Sequence, residues 1–287
     1  MRGNRSWRDP LLLALTAVAS MIVGVACGGS DGTASRSSAA PNGAATATLT
    51  GKLTVFAAAS LTDSFRSIDE AFTKAHPGVT VEFNFAASSA LATQIEQAGP
   101  ADVFASADEA QMQRLVDKSL IEGEPSVFAR NEPVIVVPAD NHAGIAAPKD
   151  LAKAGVKLVL AAPDVPIGNY ARQIIDKLAA DPAYGAAFKD AVLRNLVSNE
   201  ANVRAVLAKI ELGEGDAGIV YETDALVSGE QVKTIGLPES ANVVATYPVA
   251  VVQASDDKTL AAAFIAFLRG AEGQAILEDA GFDAAVQ

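Results

Sequence analysis

The sequence predicts an α/β fold with mostly parallel sheets flanked by helices. Apolar runs fit for buried strands recur from Lys52 onward, and most are followed by a segment with apolar residues at helical spacing. Several of the junctions between the two patterns are stripped to alanine and serine. In such folds small ligands sit beyond the carboxyl ends of strands, where helices begin.

The first strand is read in Lys52–Ala59, where Leu53, Val55 and Phe56 give way to three alanines. Ser60 then opens a helix with Leu61, Phe65, Ile68 and Phe72 on one face. Val81, Phe83 and Phe85 alternate with polar residues as a second strand, and Ser88 and Ser89 open a helix carrying Leu91 and Ile95. Asp102–Ala105 is a third strand, and Ser106 and Asp108 precede a helix with Met112 and Leu115. Pro133–Pro138 is a β-branched run, and Leu158–Leu160 is a strand broken by Pro163 and Pro166. A helix follows around Tyr170, Ile174 and Leu178, and another spans Asn199–Glu211. Gly218–Tyr221 is a buried strand, Val243–Gln253 the longest strand-like run, and helices at Leu260–Leu268 and Gln274–Leu277 close the chain.

The residues before Lys52 are of another kind. Arg2, Arg5 and Arg8 precede an apolar run, Leu11–Val25, so residues 1–26 read as a secretory signal peptide. Cys27, the one cysteine among 287 residues, excludes an intramolecular disulfide. Following Ala26 and an export signal, it reads as a lipobox cysteine that takes a lipid and becomes the mature N-terminus. Position 24 is Gly where lipoproteins usually carry Leu. Residues 27–50 hold too few bulky apolar side chains to offset their ordering entropy, which predicts a flexible tether. The folded body is thus expected outside the cell, on the outer face of the cytoplasmic membrane.

Removing residues 1–26 takes away three Arg and one Asp, so the formal charge goes from −12 to −14. A chain this acidic is not expected to bind nucleic acid. His76 and His142 belong to no spaced ligand pattern, so no free metal ion is expected. From Lys52 onward the chain has no G-x-S-x-G elbow, no P-loop and no G-x-G-x-x-G between a strand and a helix, which argues against an enzyme.

Candidate chemistry lies at the junctions Ala57-Ala58-Ala59-Ser60 and Ala86-Ala87-Ser88-Ser89. Each serine reads either as a helix N-cap, with Ser60 and Asp63 resembling a capping box, or as a hydroxyl beside free helix N–H groups that would hold an anion. Tyr221, at the end of its strand, is either a half-buried tyrosine or a phenol donor facing the same cleft.

The segments TVFAAASLTDSF (54–65), FAASSALATQIEQAGPADVFASAD (85–108) and GIVYETDA (218–225) resemble the extracytoplasmic molybdate-binding proteins of ABC transporters. VPIGNYA (165–171), NVRAVLAKIELGEGDAGIVY (202–221) and YPVAVV (247–252) extend the likeness over Lys52–Phe282. The resemblance implies two lobes joined by two crossing segments, with 51–131 and 243–287 in the first lobe and 132–242 in the second. It implies an oxyanion held by the Ser60 and Ser88 hydroxyls, the Ile167 and Val203 backbone N–H groups and the Tyr221 phenol. The ligand it implies is molybdate or tungstate with no cofactor, and the partner a membrane permease served by a monomeric receptor. A site made only of donors suits fully deprotonated molybdate and rejects hydrogen phosphate, whose proton needs an acceptor. Three alternatives remain: a receptor of the same fold for sulfate or another tetrahedral oxyanion, a serine hydrolase, and an adhesive or structural surface lipoprotein.

Overall fold

The structure, a computed structural model, describes residues 48–285. The signal peptide, Cys27 and nearly all of the tether predicted from the sequence lie outside the described residues.

Strand β1 (Thr50–Ala58) leads through a 3-10 turn (Ala59–Leu61) into helix α1 (Thr62–Ala75). β2 (Gly78–Ala86), α2 (Ser88–Glu96), β3 (Val103–Ala105) and α3 (Glu109–Val116) repeat the alternation. Two strands follow in succession, β4 (Ile121–Asn131) and β5 (Pro133–Pro138). Next come β6 (Leu158–Ala161), α4 (Pro166–Ala180), α5 (Phe188–Arg194), β7 (Leu196–Glu200) and α6 (Val203–Glu211). The chain ends with β8 (Ala217–Tyr221), α7 (Glu222–Ser228), β9 (Val232–Ile235), β10 (Ala245–Val252), α8 (Lys258–Arg269), α9 (Ala271–Asp279) and β11 (Asp283–Ala284).

These strands form two sheets, ordered β11-β4-β10-β3-β1-β2 and β7-β6-β8-β5-β9. The chain leaves the first sheet at Asn131, enters the second at Pro133, and returns through residues 236–244. In the first sheet β1 pairs in parallel with β2 and β3, and β4 runs in the same sense, while β10 and β11 oppose them. In the second, β6, β7, β8 and β9 run one way and β5 the other. Most strands therefore share a direction, as the alternation predicts. The reversed strands β5 and β10 are the first reached after each crossing between sheets.

Side chains alternate across the first sheet with the period of two that extended backbone imposes. Val55, Val103 and Val249 join the larger core, while Phe56, Phe104 and Ala250 face a second cluster under α2 and α3 with Leu91, Ile95, Met112 and Leu115. On the other side Phe65, Ile68 and Phe72 of α1 are fully buried. Phe65 and Phe72 meet Phe264 of α8 with ring centroids 6.2 and 5.3 Å apart. Both faces of the strands are thus covered, which is why their sequences read as near-continuous apolar runs.

The structure adds elements that the patterning does not signal. β4 contains Pro125 and a Gly123 with φ of 67°, both breaker signals, and it pairs with β10 only through register irregularities. β7 is an edge strand with an exposed Val197, so one face lacks the apolar alternation. The helix expected over Asn199–Glu211 begins at Val203, because residues through Glu200 pair with β6 and Asn202 is its cap.

Candidate functional site

Four chain junctions converge on one small cavity lying between the two sheets. Its walls are Ala58, Ala59 and Ser60 after β1; Ala87 and Ser88 after β2; Val165, Pro166 and Ile167 at the start of α4; and Asn202 and Val203 at the start of α6. Ala107 and Tyr221 complete it. The five residues singled out from the sequence, Ser60, Ser88, Ile167, Val203 and Tyr221, all line this cavity, and none is more than 4% exposed. The cavity is small, about 10 Å3, which is room for about one water molecule.

The walls are built from helix beginnings. The first N–H groups of a helix have no intrahelical acceptor and carry the positive end of the helix dipole. Ile167 and Val203 occupy the first turns of α4 and α6, and Ser88 opens α2. Among the described residues, neither a lysine or arginine nor a carboxylate lines the cavity. Positive potential therefore comes from oriented dipoles, an arrangement that attracts an anion without an ion pair.

Close backbone approach makes this possible at α4. A Cβ added to Gly168 would stand 2.0 Å from the Ala162 carbonyl oxygen and 2.6 Å from that of Ala161, so only glycine lets the helix dock on the end of β6. At α6 the Asn202 side chain caps the helix by accepting from Ala205 N–H (3.0 Å), leaving the Val203 N–H for other work.

Neither serine acts as a cap. The N-cap positions of α1 and α2 are Leu61 and Ala87, without side-chain cap bonds. Ala107 N–H donates to Ser88 Oγ (2.9 Å), which leaves the serine proton free to be given elsewhere. Ser60 Oγ lies 3.0 Å from the phenol oxygen of Tyr247. Asp63, the other half of the expected capping box, instead pairs with Arg204 of α6 (2.7 Å). The capping-box expectation fails because the 3-10 turn after Ala58 moves the start of α1 beyond Ser60.

Tyr221 is 1% exposed rather than half-buried, and its Oη has no hydrogen-bond partner among the described residues. Burial raises its pKa well above the ordinary phenol value, with neighbouring Tyr247 adding to the effect, so it stays protonated and can only gain from meeting an acceptor. Behind it lies Asp224, whose carboxyl is pushed up to about 6 by burial despite the neighbouring Arg204. Asp224 accepts from Tyr221 N–H (3.3 Å) and lies 2.8 Å from Arg204 Nε. Because neither of those two atoms has an aligned hydrogen bond, this contact is an ion pair by proximity. One guanidinium thus ties α6 to both α1 and α7.

Neither histidine reaches the cavity. His76 packs against Phe72, and His142 Nε2 lies 3.0 Å from Asp216 on another surface. Among the described residues, neither Ser60 nor Ser88 is hydrogen-bonded to the base that a nucleophile requires. Among the described residues no cluster of three or more metal-ligating side chains occurs. Asn202, Ala107 and Tyr247 are site neighbours that sequence reasoning missed; the Asn before an apolar helical run was the available signal for the first.

Two sheets flanked by helices, with a small cavity between them walled by helix beginnings, two serines and a tyrosine, define a receptor for a small solute. The profile of the bacterial extracellular solute-binding proteins matches residues 53–283, and the chain belongs to that family. The chain is 39% identical over 264 residues to the molybdate-binding protein ModA of Mycobacterium tuberculosis, covering 92% of this chain and 94% of that one. The same fold occurs in the sulfate-binding protein SubI of M. tuberculosis, with a TM-score of 0.73 and 22% identity over 82% of this chain and 87% of that one. It also occurs in the periplasmic molybdate-binding protein of Azotobacter vinelandii, with a TM-score of 0.71 and 18% identity over 82% of this chain and all of that one. The likeness to molybdate-binding proteins read from the sequence thus extends to the whole folded body.

Proposed function

We propose that this protein is the extracytoplasmic receptor that captures molybdate, and tungstate with it, for import by an ABC transporter. The observation that carries the reading is the cavity's lining: Ser60, Ser88, Tyr221 and the residues that begin α4 and α6 meet there, with no carboxylate among the described lining residues to accept a proton. Ser60, Ser88, Tyr221 and the Ile167 and Val203 N–H groups are the proposed ligands. Such a set accepts a dianion with no proton of its own and disfavours hydrogen phosphate, whose O–H would be buried unpaired. The 39% identity to ModA supports molybdate over sulfate, whereas the likeness to SubI concerns the fold alone.

In this reading residues 51–131 and 243–287 form one lobe and 132–242 the other, and the lobes close on the anion about the two crossings. The closed receptor then docks on its permease as a monomer. Cys27 anchors the tether to the outer face of the cytoplasmic membrane. A protein lacking residues 1–50 tests the ligand by thermal unfolding with molybdate, tungstate, sulfate and phosphate. A ligand bound only by the folded state at a hundredfold excess over its Kd adds about 2.7 kcal/mol of stability. Stabilisation by molybdate and tungstate, little by sulfate and none by phosphate is expected. A sulfate preference keeps the receptor and overturns the substrate; no response to any anion overturns the reading. Labelling with a fatty acid tests the anchor, which fails if Cys27→Ala protein still takes up label.

A further inference from the structure

Tyr247 lies in β10, outside the lining of the cavity, yet its phenol oxygen is 3.0 Å from Ser60 Oγ. It is fully buried, with its ring held among those of Tyr221, Phe128 and Phe282 at centroid distances of 5.8, 6.2 and 5.5 Å. An oxygen so placed has little freedom. What matters for an anion in the cavity is which hydroxyl donates, because Ser60 has one proton: given to Tyr247, it is lost to the ligand.

The partners of the phenol decide the direction. Among the described residues Ser60 supplies the one hydrogen bond that this buried phenol makes. If Ser60 donates, the phenol proton is buried without an acceptor; if the phenol donates, its proton is used and the Ser60 proton is left for an acceptor in the cavity. We infer that Tyr247 is a positioning residue: it donates to Ser60 Oγ and so turns the Ser60 proton into the cavity. This rests on the oxyanion reading of the cavity.

The test is a double-mutant cycle with Tyr247→Phe and Ser60→Ala, with molybdate affinity measured by calorimetry. Tyr247→Phe should weaken binding about fivefold to tenfold, the value of one hydrogen bond. In the Ser60→Ala background it should add less than twofold, because no serine remains to be turned. Unchanged or tighter binding by Tyr247→Phe overturns the inference, since it means that Ser60 was donating to the phenol. An equal loss in both backgrounds also overturns it, as a packing effect would act without Ser60. If wild-type protein binds no oxyanion, the functional reading falls and the inference with it, an outcome distinct from normal binding that ignores Tyr247.

Discussion

Replacing Tyr221 by Phe should move affinity and stability in opposite directions. The side chain is buried, and its hydroxyl has no partner among the described residues. A buried unsatisfied polar group costs about 1–3 kcal/mol, so removing the oxygen should leave ligand-free stability unchanged or raise it by up to about 2 kcal/mol. For a folded body of this size 1 kcal/mol corresponds to about 2–4 °C, giving a midpoint equal to or several degrees above wild type. In the complex the same hydroxyl would meet a charged oxygen, a bond worth about 1.5–3 kcal/mol. Its loss should raise the molybdate Kd by a factor of about 10 to 150. Calorimetric titration supplies the affinity, and denaturant unfolding without ligand supplies the stability. A Kd within twofold of wild type would refute the placement of the phenol on the ligand. A ligand-free loss beyond about 1 kcal/mol would show that the hydroxyl already has a partner.

The remaining expectations concern the frame around the cavity. Asp224 titrates at about 6 in the folded protein against an ordinary 3.8, so the folded state holds its proton longer. This carboxyl therefore lowers stability as pH rises from about 4 to about 6, by up to roughly 3 kcal/mol once fully ionised. Arg204→Met leaves that charge buried alone and should cost about 3–5 kcal/mol at pH 8 and less at pH 5, as read by denaturant titrations at both pH values. Ile167→Ala keeps the main-chain N–H while removing buried carbon; it should cost about 2–4 kcal/mol of ligand-free stability yet retain molybdate binding. Gly168→Ala sets a methyl against the Ala161 and Ala162 carbonyls and should displace the start of α4, lowering the unfolding midpoint and weakening molybdate binding together.

The parts of the site legible in the sequence are those whose geometry is local. A strand that runs into alanines and a serine before an amphipathic stretch announces a bare helix start, which singles out Ser60 and Ser88, whereas Tyr221 is read from its place at the end of a strand. Their convergence on one cavity needed the family likeness, because no local rule tells how two sheets face each other. What the serines do with their protons was illegible for the same reason. Ser60 is oriented from 187 positions away and Ser88 receives its N–H from Ala107, so a capping reading drawn from neighbours could not succeed. β4 was hidden by Pro125 and Gly123, although it ends at Asn131, where the backbone crosses between the sheets. The division has a physical basis. Backbone donors at a helix start are imposed by the helix, so they survive in local pattern. The direction of a hydroxyl proton is imposed by whichever acceptor or donor folding brings near it. Selectivity for an anion without a proton depends on that second kind of information, which is why Tyr247 is the residue on which sequence reading and structure part most sharply.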